Sequence, residues 1–153
     1  MSRLLAPLLF VALLPAGCGD QPELPALAAA DVILAFGDSL TYGTGAREDE
    51  SYPAVLARLS GHEVVNAGVS GEISAEGVAR LGGVLDEYRP GLLLLCHGGN
   101  DMLRQMDSKA MENNLRAMIH QAQERNIPVI LLDRKSTRLN SSHMSESRMP
   151  SSA

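Results

Sequence analysis

Ser39 stands one Gly-Asp step beyond a short apolar run, Val32-Ile33-Leu34-Ala35-Phe36. A serine between a buried strand and a helix can expose its hydroxyl where free backbone N–H groups and the helix dipole favour a developing oxyanion. Acyl transfer to a serine needs such donors and also a general base. Two other segments offer donors. Gly71 has no side chain, so its backbone N–H can approach a substrate closely. Asn100 follows the pair Gly98-Gly99, whose tight turn would project its side-chain amide. Taken singly these signals are ambiguous: Gly37-Asp38-Ser39-Leu40 also reads as a turn, and Gly98-Gly99-Asn100-Asp101 as a plain loop.

The elements that must position these residues alternate between strand and helix. Val32 to Phe36 is a continuous apolar run, as expected of a strand buried on both faces. Tyr42 to Ser51 reads as a polar, Gly-containing loop, and Tyr52-Pro53 opens a helix running to about Leu59. Glu63 to Asn66 is a second strand, followed by turn residues Gly68 to Gly71. A helix is predicted from about Ser74 to Tyr88, with Ile73, Val78, Leu81 and Leu85 at helical spacing. Leu92 to Cys96 is a third strand. Lys109 to Arg125 is an amphipathic helix with Met111, Leu115, Met118, Ile119 and Ala122 on one face, and Ile127 to Leu132 is a fourth strand. Such βα alternation implies a parallel, doubly wound sheet, whose functional loops lie at the carboxyl ends of the strands. Ser39, Gly71 and Asn100 fall at three of those ends.

Phe36-Gly37-Asp38-Ser39-Leu40-Thr41-Tyr42-Gly43 resembles the first conserved block of the SGNH, or GDSL, hydrolase superfamily. Asn66 to Glu72 resembles its second block and His97-Gly98-Gly99-Asn100-Asp101 its third, in the family's order. The resemblance covers about residues 31–132 and is nearest to the branch of bacterial arylesterases, lysophospholipase L1 and acyl-CoA thioesterase I. It implies a flavodoxin-like three-layer α/β/α sandwich with a parallel sheet, truncated at its C-terminus. By the same resemblance Ser39 is the nucleophile. Its backbone N–H, the N–H of Gly71 and the side chain of Asn100 form the oxyanion hole. Asp38 shapes the nucleophile turn, with Gly99 and Asp101 in supporting positions. The substrate implied is a small acyl ester or thioester, with lysophospholipid as one candidate. No metal or organic cofactor is implied.

The family's Asp-x-x-His block, which supplies the base and its orienting carboxylate, does not occur in this sequence. The catalytic His and Asp are therefore expected to be absent, and the chain as written inactive. His62 reads as a surface residue at the far end of the sheet, His97 as a pocket-shaping neighbour and His120 as partly exposed on its helix. Met102 is the candidate pocket wall, and Met111 and Met118 read as core. Cys96 reads as a packed free thiol and Glu48-Asp49-Glu50 as a solvated loop.

The two ends read differently from the body. Arg3 followed by the eleven mostly apolar residues Leu4 to Leu14 is too short to span roughly 30 Å of hydrocarbon and has the pattern of an export signal. Leu14-Pro15-Ala16-Gly17-Cys18 resembles a bacterial lipobox, so residues 1–17 are expected to be cleaved and Cys18 lipidated, with 18–30 a tether; the alternative is ordinary cleavage near Ala28–Ala30, leaving no lipid. The expected location is the bacterial envelope or periplasm, with membrane contact through that anchor. From Asp133 onward the composition shifts: seven of the chain's 14 serines lie in the last 21 residues. This segment back-translates in frame into a sequence resembling a short-read sequencing adapter, so residues 133–153 are expected to be non-native and the gene to continue past about Leu132.

Across the 153 residues the net charge is −5, with no Lys/Arg cluster, which excludes a typical nucleic-acid binder. Two cysteines cannot build a disulfide framework. Without GxGxxG or a P-loop after the first strand, a nucleotide-binding flavodoxin-like protein is disfavoured. The alternative from another class is a non-catalytic envelope lipoprotein binding acyl or glycan ligands on the same scaffold.

Overall fold

The computed structural model describes residues 26–132. The expected signal, Cys18 and most of the tether, and the expected adapter segment 133–153 lie outside the described residues. Within them, four strands form one parallel sheet in the order β2-β1-β3-β4: β1 Ile33–Gly37, β2 Val64–Gly68, β3 Leu92–Cys96 and β4 Val129–Leu131. The helices are α1 Ser39–Tyr42, α2 Tyr52–Ser60, α3 Ser74–Tyr88, α4 Gly99–Leu103 and α5 Ser108–Gln123, and a single 3-10 turn spans Glu48–Glu50. Among the described residues no helix is long and apolar enough to cross a membrane.

The period-2 geometry of a strand divides the apolar runs of β1 and β3 between two faces. Leu34, Phe36, Leu93 and Leu95 point to one face and meet Leu81 and Leu85 of α3 and Met118 and Ala122 of α5. Ile33, Leu92 and Leu94 point to the other face, against Tyr52 and Leu56 of α2. This is the three-layer α/β/α arrangement, with helices on both faces of a parallel sheet. The chain moves outward from β1 to β2, then jumps back past β1 to β3. α2 lies on one face and α3 and α5 on the other, as the general right-handed rule for crossovers requires when that direction reverses. The reversal puts the topological switch point between β1 and β3, and ligands of open α/β sheets bind at the carboxyl end of such a point.

Local chemistry fixes the helix ends. Pro53 sits in the first turn of α2, where its fixed φ suits a helix and its missing N–H costs nothing. Asp107 caps α5 by accepting from the N–H groups of Lys109 and Ala110. The structure moves the predicted boundaries at three strands. β1 runs one residue later than the apolar run, β2 ends at Gly68 instead of Asn66, and β4 is shorter than predicted. Asn and Gly are poor strand formers, but ladder pairing of Ala35 with Asn66 and Gly37 with Gly68 overrides propensity here. Two short helices, α1 and α4, occupy segments whose length carries no usable periodicity.

The core face predicted for α5 is observed: Met118 and Ala122 are buried and Met111, Leu115 and Ile119 half-buried. Leu95 lies fully buried in the cluster between sheet and helices. We expect Leu95→Ala to cost about 2–5 kcal/mol of stability, by lost burial and a residual cavity. Urea unfolding followed by far-UV circular dichroism measures this, and an unchanged midpoint would contradict the packing described.

Candidate active site

β1 pairs in aligned register with both neighbours, so Gly37 faces Gly68 on one side and Cys96 on the other. The three strands therefore end level, and the loops carrying Ser39, Gly71 and Asn100 leave the sheet together. Hydrogen bonds tie those loops edge to edge. Asp38 N–H donates to the Cys96 carbonyl at 3.3 Å, and Val69 N–H to the Gly37 carbonyl at 3.0 Å. The Thr44 hydroxyl donates to Ser70 Oγ at 3.1 Å, and Arg104 Nη2 to the Gly71 carbonyl at 2.8 Å. Close approach demands glycine at Gly68, where a Cβ would collide with the Thr41–Tyr42 backbone of α1.

Ser39 is the first residue of α1 and is half-buried. Asp38, 3% exposed, caps this helix: its carboxylate accepts the Leu40 N–H at 3.0 Å. α1 has only four residues, so the strong helix dipole expected at Ser39 does not develop. Individual N–H groups with no intrahelical partner, that of Ser39 among them, remain as the available donors. Beneath α1, the fully buried Thr41 shares a 3.1 Å hydrogen bond with the Tyr52 hydroxyl. Burial and the nearby Cys96 and Asp38 push the Tyr52 phenol up to about 12, against the Thr41 hydrogen bond, so it stays protonated as a prop for the helix. Burial, with Asp38 beside it, likewise raises the Cys96 thiol, which keeps it protonated and poorly nucleophilic.

Gly98 has φ +96°, the left-handed conformation expected of the glycine pair, and α4 starts immediately after it. Asn100 Nδ2 donates to the backbone carbonyl of Glu72 at 2.9 Å. Asp101 is buried and reaches the N-terminus of α3, where its carboxylate accepts the Ser74 N–H at 2.8 Å and the Ser74 hydroxyl at 2.6 Å. Asn114 of α5 donates to the same hydroxyl at 2.9 Å. A carboxylate against the first turn of a long helix is electrostatically favourable, and it pins the segment carrying Asn100 to α3. Gly99 lies against Asp38: a Cβ there would stand 3.0 Å from Oδ2. Met102 is 62% exposed, at the rim of this end of the molecule.

Glu72, Arg80 and Ser74 escaped the sequence reading, although Glu72 lies in a segment it singled out. The Glu72 side chain is 5% exposed and is gripped by Arg80, which donates from Nε at 2.5 Å and Nη2 at 2.7 Å. Arg80 Nη2 also donates to the Ala67 carbonyl at 2.8 Å, and its guanidinium lies 4.0 Å from the centre of the Phe36 ring. His97 Nε2 bonds the other side of the carboxylate at 3.0 Å, and His97 Nδ1 accepts the Gly98 N–H at 3.0 Å. Because Nδ1 accepts, the neutral ring carries its proton on Nε2 and donates it to Glu72. Both ring nitrogens are thus engaged, and no lone pair is left on His97 to receive a proton from Ser39.

The other histidines stand elsewhere. His62 precedes β2 at the opposite end of the sheet and is half-buried, a departure from the surface position expected, with an Nδ1 that has no partner among the described residues. His120 is exposed on α5, 3.5 Å from Glu124. Glu48, Asp49 and Glu50 are exposed, and Arg47 pairs with the latter two. A hollow lined by Leu85, Asp86, Arg89 and Arg125 lies where α3 ends and β3 begins, away from Ser39.

The GDSL-like lipase/acylhydrolase family model matches residues 35–149. The chain therefore belongs to that family. It is 37% identical over 126 residues to the protein named esterase TesA of Pseudomonas aeruginosa, covering 79% of this chain and 63% of that one. It is 36% identical over 107 residues to thioesterase 1/protease 1/lysophospholipase L1 of Escherichia coli, covering 69% and 51%. The crystal structure of AlinE4, an SGNH-hydrolase family esterase, superposes with a TM-score of 0.66 at 39% identity, covering 74% of this chain and 65% of that chain. The chain thus spans about half to two thirds of the length of these relatives. The expected SGNH-hydrolase α/β fold is the fold observed.

Burial pushes the Glu72 carboxyl up, but hydrogen bonds from Arg80 and His97, with the charge of Arg80, outweigh it and hold the group below its ordinary 4.5. A carboxyl lowered on folding stabilises the protein above its unfolded pKa and loses that contribution as pH falls through the folded value. Thermal melts from pH 7 down to pH 3 should show wild type losing more stability below about pH 4.5 than Glu72→Gln does. Equal acid slopes would argue against a paired carboxylate at this position.

Proposed function

We propose that this chain carries the nucleophile and oxyanion-binding half of a serine ester hydrolase acting on small acyl esters or thioesters. The observation that carries the reading is the anchoring of Asn100 across the switch point from Ser39. One N–H of its amide is held by the Glu72 carbonyl, and an amide has a second N–H to give. With the backbone N–H groups of Ser39 and Gly71, that second N–H supplies donors where an acyl-transfer intermediate develops negative charge.

In this reading Ser39 Oγ attacks the acyl carbonyl carbon while its proton passes to a histidine. The carbonyl oxygen becomes the oxyanion. Collapse of the intermediate breaks the bond to the leaving alcohol or thiol, which takes the proton, and leaves an acyl-Ser39 ester. Water activated by the same histidine then releases the acid and regenerates Ser39. His97 is engaged at both nitrogens, His62 stands at the far end of the sheet and His120 lies toward the C-terminus of α5. In this reading the base is a histidine of the Asp-x-x-His block that the family resemblance implies. Export and lipidation at Cys18 are part of the same proposal, and a single palmitate-labelling experiment on Cys18→Ser addresses them.

The test is hydrolysis of p-nitrophenyl esters by the full-length gene product. Ser39→Ala should lower the rate by at least about 10³-fold. Asn100→Ala should lower kcat by roughly 10²–10³-fold, the usual cost of losing one oxyanion donor. Full activity in the serine variant would sink the reading.

A further inference from the structure

Among the described residues Glu72 makes no hydrogen bond to Ser39, yet both loop donors adjoin it. Its backbone carbonyl holds Asn100 Nδ2 at 2.9 Å, and its backbone N follows directly on Gly71. Where that backbone sits is set by the side chain, which is anchored at both oxygens. Arg80 takes Oε1 and Oε2, and His97 adds a third hydrogen bond to Oε2. The anchors are themselves fixed. Arg80 is bonded to Ala67 at the end of β2 and rests on Phe36 of β1. The His97 side chain, fully buried at the end of β3, packs on α3 at Gly77, where a Cβ would come within 2.6 Å of Nε2.

We propose that Glu72 is the positioning residue of the oxyanion hole: its carboxylate, clamped by Arg80 and His97, fixes the backbone that orients Gly71 N–H and Asn100 Nδ2 toward the acyl oxygen. This rests on the acyl-transfer reading above and adds to it the residues that make the donors rigid. His97 serves as the third hydrogen-bond donor to the clamp, with its tautomer fixed by Gly98 N–H, and does not act as the base. Removing the carboxylate leaves every donor present but free to shift. Misplacement of catalytic groups on the 1 Å scale costs rate, whereas ground-state binding of the acyl group does not need the oxyanion contacts.

The experiment compares steady-state kinetics of full-length Glu72→Gln, Asn100→Ala and the double variant on a p-nitrophenyl ester. Glu72→Gln should lower kcat by up to about 100-fold with KM little changed. It should cost almost nothing further once Asn100 is already Ala, because the two act as a unit. The pH dependence of kcat/KM should keep its limbs, since no proton-transfer group is lost. Should Glu72→Gln fail to fold, His97→Leu and His97→Gln carry the test. Leu removes the donor to Oε2 and should lower kcat, while Gln restores an N–H donor and should recover most of the loss. A folded Glu72→Gln with wild-type kcat, full additivity with Asn100→Ala, or His97 variants that both match wild type would overturn the proposal while leaving acyl transfer intact. Full activity in Ser39→Ala would instead remove the acyl-transfer reading itself.

Discussion

The register of β1 against its two neighbours is the constraint on which the site depends. Gly37 pairs with both Gly68 and Cys96, so three parallel strands stop at one height. Parallel pairing leaves little freedom here. A slip by one residue would turn Leu34 and Phe36 away from α3 and α5 and expose the other face's apolar set, so burial on both faces holds the register. The chemistry-bearing loops inherit that precision. Ser39 and Asn100 flank the switch point because β1 and β3 are adjacent although far apart in sequence, and Gly71 enters from β2 on the other side.

A second layer of order is electrostatic. Burying a carboxylate is unfavourable unless hydrogen bonds and opposite charge replace the water it loses. Glu72 meets that requirement with Arg80 in a two-point grip and His97 on the remaining side. Asp101 meets it differently, through the Ser74 N–H and hydroxyl at the start of α3. A buried ion pair of this kind is weak evidence for stability, since an apolar replacement of similar volume often serves as well. Its more secure property is geometric. Bidentate contacts between planar groups fix distance and plane together, and here they fix the segment carrying the proposed oxyanion donors.

Much of the fold was legible in the sequence because long apolar runs and helical periodicity are redundant signals. The limits of β3 were readable to the residue from Leu92-Leu93-Leu94-Leu95-Cys96, and the buried stripe of α5 from the spacing of Met111 through Ala122. The strand ends were less legible, since Asn66, Gly68 and Gly37 disfavour strands by propensity and are held there only by partners distant in sequence. The positions of Ser39, Gly71 and Asn100 at three strand ends could be anticipated, because strand-end placement follows from βα alternation. The clamp could not. Arg80 lies on an unremarkable helical face, and nothing local says that its guanidinium crosses to Glu72, Ala67 and Phe36. A charged pair eight residues apart, one of them in a loop, has no periodicity to betray it. Ser74 and Asp101, 27 residues apart, are equally silent.

His97 shows why proximity is a poor guide to catalytic role. It sits within the third block, beside Asn100, and its imidazole has the ordinary chemistry of a base. A base, however, needs an unshared lone pair directed at the proton it takes. Here Gly98 N–H already occupies the Nδ1 lone pair, and Nε2–H is committed to Glu72. To accept a proton from Ser39 the ring would have to give up the Gly98 contact and turn within a wall formed by Phe36 and Gly77. The polar groups at this end of the molecule therefore divide into donors and the supports that hold donors still. Both nitrogens of His97 are committed to the frame that holds these loops together.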